Sequence, residues 1–180
     1  MARLALTTIG VLHEAFEHPR IKGFIDRIPD VYARAEGSEG FLGRSVRDPE
    51  TGEDDWGGFV CPHFFADEPP DHVVATFSLW RDLESVMAFV YTAHHGEALR
   101  KRRQWFREGD HPVLAAWWVA DDHQPTWRDA ADRMEKLHTN GPTPEAFTFG
   151  NAFDANGNRY RADQALIQAK IARNGERAST

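Results

Sequence analysis

Cysteine is nearly missing from this sequence, with one thiol, Cys61, in 180 residues. A lone thiol excludes an internal disulfide framework and a zinc site built of cysteines alone. Long apolar runs are missing too: none approaches the roughly 20 residues that cross a bilayer. The first apolar stretch is interrupted by Thr7 and Thr8, and no Ala-x-Ala follows it, so it is expected to be a strand rather than a secretory leader. There is no Gly-rich phosphate loop, no Gly-x-Ser-x-Gly elbow, no His-Glu-x-x-His and no dinucleotide fingerprint. An enzyme with this sequence is expected to work without a nucleotide cofactor, or to take a haem-like group into a cavity that needs few fixed contacts. No internal repeat or low-complexity tract breaks the chain.

The charge balance is acidic, at −7 with a pI near 5.7, which argues against nucleic acid or an anionic membrane as partner. Residues 151–180 carry +2, leaving −9 for the first 150, so the C-terminal stretch is expected to be an appendage rather than a second domain. What the chain does have is bulk: 41% hydrophobic residues, with six Trp and twelve Phe, suffice for a core and exclude wholesale disorder. A cytoplasmic protein of one domain (1–153) with a partly helical or flexible extension (154–180) is expected.

Periodicity assigns the elements. Arg3 to Val11 reads as a strand with neither face strongly polar. Ile21, Phe24, Ile25, Ile28 and Tyr32 fall on one helical stripe, with Pro29 predicting a kink or restart and Gly37 and Gly40 the end. Phe41 to Arg47 returns as a strand. Residues 48–71 are rich in Pro, Gly and acidic side chains and read as loops, with a hairpin or short strand around Trp56 to Cys61. Val73 to Trp80 is a third strand. Asp82 is a fitting N-cap for a long helix whose stripe runs past His94/His95 to Trp105/Phe106, with a break near Gly96. Val113 to Val119 is a fourth strand, Thr126 to Asn140 a helix, Phe147 to Phe153 a short strand or an extended strap, and 162–173 a weak amphipathic helix. The order β-α-β-β-α-β predicts an α+β, ferredoxin-like split βαβ fold with an antiparallel sheet and extra C-terminal helices. VLAAWWV and VVATF are apolar at nearly every position, so both sheet faces need covers. A second copy of the same sheet is the simplest candidate for one of them, predicting a homodimer.

The segments FVYTAHHGEALRKRRQWF (89–106), HPVLAAWWV and GPTPEAFTF (141–149), with SLW at 78–80, carry a resemblance over roughly residues 3–150. They resemble a bacterial family of unknown function within the dimeric α+β-barrel superfamily. That superfamily also holds antibiotic-biosynthesis monooxygenases, muconolactone isomerase-like proteins, polyketide cyclases and haem proteins such as chlorite dismutase. Similar members carry a histidine at the position of His95 and a Trp-Phe pair at Trp105 and Phe106. The chain departs from the pattern at His94, where a small residue is usual, and at Thr76, where Asn is common. It departs again at Cys61-Pro62-His63, where an Arg-Pro-Phe-like sequence is typical, and in the tail beyond about 155.

His94 and His95 lie on the core-facing stripe of the second long helix, where at most one can point fully inward, adjacent residues being about 100° apart. An inward imidazole can relay a proton, hydrogen-bond a carbonyl or ligate a metal or haem iron; the plainer alternative is a packed histidine with a backbone partner. Trp80, Trp105, Trp117, Trp118, Phe77 and Tyr91 can line an aromatic pocket, or simply be core. Cys61, His63 and His72 do not make a complete metal site by spacing. The run Arg100, Lys101, Arg102, Arg103 and Arg107 reads as a solvated face, from which Arg103 can reach in to hold a carboxylate or phenolate.

The resemblance implies a small-molecule enzyme, a cofactor-independent monooxygenase or a cyclase/isomerase. It would act on an aromatic or polyketide-type intermediate in an apolar cavity, with His95 or His94 as acid/base. Two alternatives are a haem protein with a histidine axial ligand and a non-catalytic ligand-binding module.

Overall fold

The structure, a computed structural model, describes residues 2–91 and 102–177. In chain order its elements are β1 (Arg3–Val11), α1 (Lys22–Ile25), α2 (Ile28–Gly37), β2 (Phe41–Arg44), β3 (Val73–Trp80), α3 (Leu83–Val90), β4 (Leu114–Val119), α4 (Trp127–Asn140), β5 (Ala152–Phe153), β6 (Arg159–Tyr160) and α5 (Gln164–Arg177). The result is a mixed α+β architecture around an antiparallel sheet of order β2-β3-β1-β4. The register pairs Leu4 with Trp80 and Trp118, and Thr8 with Thr76 and Leu114. Side chains alternate across a sheet, so the even-numbered residues of these strands share one face and the odd-numbered ones the other. No helix among the described residues is long and apolar enough to cross a membrane.

Both faces are buried, and this chain supplies both covers. On the even face, Leu4, Leu6, Trp80 and Ala116 pack under α3, with Phe147, Phe153 and Ile167 completing the cluster. On the odd face, Ala5, Phe77, Leu79 and Trp117 lie under Trp127 and Ala130 of α4, while Ile9, Val11 and Ala115 meet Met134 and Leu137 of the same helix and Phe65 of the strap that precedes β3 (residues 48–72). Phe77 and Trp117 are each 1% exposed. Burying such a side chain contributes on the order of 1.5–3 kcal/mol, so α4 is a main support of the fold. The sheet face for which the sequence predicts a second copy as cover is instead covered by α4 and residues 48–72 of the same chain.

The local boundaries follow from backbone chemistry. Pro29 sits in the first turn of α2, where its missing N–H has no intrahelical acceptor to lose, so the expected kink is a restart between α1 and α2. Asp82 caps α3 by accepting from the Ser85 backbone N–H (2.7 Å) and hydroxyl (2.6 Å). Gly40, with φ +83°, leaves room for that serine, since a Cβ there would lie 2.1 Å from Ser85 Oγ. Thr126 and Asp129 form a reciprocal capping box on α4, and Gly141 ends it at φ +68°. Residues 48–72 form a strap rather than a hairpin. It holds short 3-10 turns at His63–Phe65 and Pro70–His72 and a single bridge, Arg47 to Asp54. Phe147 exchanges two backbone hydrogen bonds with Ala116 on the outer side of β4, at 2.8 and 2.9 Å. The helix expected to continue from α3 passes into residues 92–101, outside the described residues; helix is present again at 102–105.

The C-terminal stretch packs into the same body. α5 lies on α3, burying Ile167 and Lys170. Lys170 Nζ donates to Ser85 Oγ at 3.0 Å and Glu39 Oε1 at 3.1 Å, and lies 3.5 Å from Asp82 Oδ2. Arg173 forks onto the same Glu39, and with Lys170 holds its carboxyl at about 2. Glu84, also buried, accepts from the Tyr160 hydroxyl (2.6 Å) and the Asp163 N–H (3.0 Å). That carboxylate pushes the Tyr160 phenol up to about 12. Every charge on this latch has a partner, which makes burial tolerable.

Removing the cation leaves two carboxylates without their shared partner, so Lys170→Met should lower unfolding stability by about 3 kcal/mol in urea titrations. Glu39 is ordinarily near 4.5 and here near 2, so its contribution is complete above pH 4.5 and is lost as pH falls towards 2. Glu39→Gln should flatten that part of the acid-stability curve; an unchanged curve would count against the latch.

Candidate functional site

The even face of the sheet is not apolar along its whole length. Between the Leu4/Trp80 end, under α3, and the Gly10/Leu12 end lie three hydroxyl side chains, Thr8, Thr76 and Ser78. They are only partly buried, while Leu4, Leu6, Trp80 and Ala116 around them are sealed. Thr8 and Thr76 face each other across β1 and β3 with their hydroxyl oxygens 2.8 Å apart. One hydroxyl donates to the other, leaving a second O–H to point outward. Ser78 Oγ accepts the Trp80 indole N–H at 2.9 Å, which leaves its own proton available. Beside Ser78 in register, Arg44 lies 4.0 Å over the Tyr32 ring and donates to Glu36 at 2.8 Å. Burial raises the Tyr32 phenol, against the opposing pull of Arg44.

The far end of this face is closed by the helical turn at 102–105. Trp105 packs with Leu12 and Ile21, and Phe106 bridges to Leu12. Gly10 admits the Phe106 ring: a Cβ there would lie 2.8 Å from it. α3 packs on one end of the face and Trp105–Phe106 on the other, with the hydroxyl row between.

The structure separates the residues expected to share a site. His94 and His95 lie outside the described residues. Tyr91 caps the C-terminus of α3 and is 53% exposed. Trp80 is core, edge-on to Phe41 and stacked on Phe89. Trp118 donates its indole N–H to the Phe153 carbonyl at 2.8 Å. Trp117 and Phe77 stack on each other at 5.5 Å on the opposite face. Trp105 belongs to the end cluster, with the Arg27 guanidinium 5.5 Å from its ring centre. The six aromatics therefore do not line one pocket. Arg103 is corrected as well: its side chain is 86% exposed and paired with Glu108 at 2.8 Å, turned to solvent rather than to the sheet. His63 pairs with Glu135 and His72 Nδ1 lies 3.3 Å from the Leu12 carbonyl. Among the described residues no three His, Cys, Asp or Glu side chains converge as metal ligands. The hydroxyl row was missed in the sequence. Its signal is a period of two, Thr76 and Ser78 on alternate positions of an otherwise greasy strand, opposite Thr8.

The fold and this polar floor define a mixed α+β protein with a partly open hydroxyl-bearing sheet face. The chain belongs to the family described as Domain of unknown function (DUF3291), whose model matches residues 3–163. No curated protein matches the sequence. Among solved structures, the chain is similar to PA3566 from Pseudomonas aeruginosa at 11% identity and TM-score 0.43, covering 68% of this chain and 97% of that one. It is similar to a conserved protein from Methanosarcina mazei Go1 at 9% identity and TM-score 0.42, covering 66% and 92%. The family match ends one residue before α5.

Gly10→Ala should push the Phe106 ring off the sheet end. An overpacked contact of this kind costs about 1–3 kcal/mol, read as a lowered urea midpoint. A variant as stable as wild type would show that the end cluster does not close tightly on β1.

Proposed function

We propose that this chain is a small-molecule enzyme whose ligand lies on the Thr8/Thr76/Ser78 floor, with His95 or His94 as its acid/base. The observation that carries the reading is the partly exposed hydroxyl row on a face whose Leu4, Leu6, Trp80 and Ala116 side chains are sealed. α3 packs at one end of this face and Trp105 at the other, and both histidines fall between these two elements in the sequence. Hydroxyls in that position suit a ligand with carbonyl or phenolic oxygens, and the flanking aromatic clusters suit a flat, apolar body. The resemblance to antibiotic-biosynthesis monooxygenases and cyclases points the same way: an aromatic or polyketide-type substrate held by oxygens while a histidine moves its proton.

In this reading the fold is the ferredoxin-like split βαβ arrangement. The strand order supports it, as do the two helical connections on the even face. α4 and the strap take the side of the sheet that a second copy occupies in a dimeric barrel.

A hydroxyanthrone, a phenolic substrate whose anion reduces oxygen, is a suitable probe. Wild-type protein should accelerate oxygen uptake over the spontaneous rate, and His94→Ala/His95→Ala should lose about 10²–10⁴-fold of that, the usual contribution of general acid–base catalysis. Thr8→Val/Thr76→Val should raise KM more than it lowers kcat. Uptake by the double histidine variant equal to wild type would remove the acid/base role.

A further inference from the structure

The opposite face of the sheet carries a small hollow, which does not depend on the function proposed above. It is floored by Thr7 and Ala75, walled by Ala130 and Ala131 of α4, and roofed by Phe59 and Val60 of the strap. Its volume is about 10 Å³, the size of one water. Yet a buried water needs two to four polar partners. The polar side-chain atoms on the lining are the Thr7 hydroxyl, which donates to the Thr76 carbonyl at 3.1 Å, and the Trp127 indole N–H, which donates to Ser45 at 3.0 Å. Both protons are already committed, so the hollow suits apolar matter better than water.

Its roof is weakly held. Among the described residues Gly57 to Cys61 make no hydrogen bond, although on either side the Trp56 carbonyl accepts from Trp127 N–H (3.1 Å) and the His63 N–H donates to Glu135, both on α4. Gly57 has φ +82° and Gly58 has nothing within 4 Å of a would-be Cβ, so the roof begins on two residues free to swivel. What keeps it down is side-chain contact. Phe59, still 41% exposed, lies edge-on to Trp127 at 5.1 Å, while Val60 and Cys61 pack against the odd-face clusters. A segment with no hydrogen bonds and a half-exposed anchor opens at a small fraction of the global unfolding free energy.

The geometry points to a ligand site beneath this strap for a single-ring aromatic bearing one hydroxyl. When Phe59 swings out on Gly57–Gly58, a ring-sized space joins the existing hollow against Trp127, and the ligand ring takes over the edge-to-face contact that Phe59 vacates. The Thr7 oxygen, having given its proton to Thr76, has lone pairs left to accept from the ligand hydroxyl.

Cys61, the sole thiol of the chain, lies half-buried within the strap and packs against the odd-face cluster, so its labelling rate rises as the strap opens. In the full-length native protein it should react with an aromatic disulfide reagent at least about tenfold more slowly than in urea, and phenol should slow it several-fold further in a saturable way. Phe59→Ala should label faster without phenol and need about tenfold less phenol for the same protection. Thr7→Val should need up to about tenfold more, the value of one hydrogen bond. Native labelling as fast as in urea would overturn the proposal, as would labelling that phenol leaves unchanged or accelerates. These outcomes are read on the wild-type protein, so they stand whether or not either variant folds. They are also independent of oxygen uptake, which tests the other face.

Discussion

A sheet that is greasy on both sides must be covered twice, and everything else in this protein answers to that requirement. Leu4, Leu6 and Trp80 look one way, Ala5, Phe77 and Trp117 the other. Left to water, either set would forfeit free energy comparable to the about 5–15 kcal/mol that a small domain has in reserve. α3 closes the first side and α4 the second, and each is secured by a side-chain cap at its start. The strap and α5 are the outer layer: the strap fills what α4 leaves open, and α5 seals the outside of α3, which is why Leu83 to Ala88 are buried almost all round.

The strands, the caps and α4 were legible because each rests on a local rule. Arg3–Val11 and Val73–Trp80 are mostly apolar and β-branched with neither face strongly polar; Asp82 and Thr126 stand where a helix needs an acceptor. The nature of the covers was not legible. An apolar run states that both faces are buried and is silent about which segment buries them, so one copy of α4 and a second copy of the sheet look alike from β4. The buried Lys170 was hidden for a related reason: helical periodicity looks for apolar residues on the inner stripe, and here a cation completes that stripe because Glu39 and Asp82, far away in sequence, meet it.

The candidate site divides in the same way. The aromatic residues drew attention by size, and size is what a two-sided core consumes; Trp80, Trp117 and Phe77 are each almost fully enclosed. The hydroxyls were the quieter signal and the more informative one. A threonine pair in mid-sheet, half open on a face where Leu4, Leu6, Trp80 and Ala116 are sealed, departs from what packing alone would select, and such departures mark where a fold has been adapted to something besides its own stability.

The pairing of Phe147 with Ala116 has a consequence for how the molecule behaves in company. An open sheet has two rims, each a row of unsatisfied amides and carbonyls that invites another strand. Here a returning stretch of the same chain closes part of the β4 rim, and the β2 rim is four residues long and broken by a bulge. Neither margin offers a long, flat template, so a protein this rich in β-forming aromatic sequence is protected against edge-to-edge self-association.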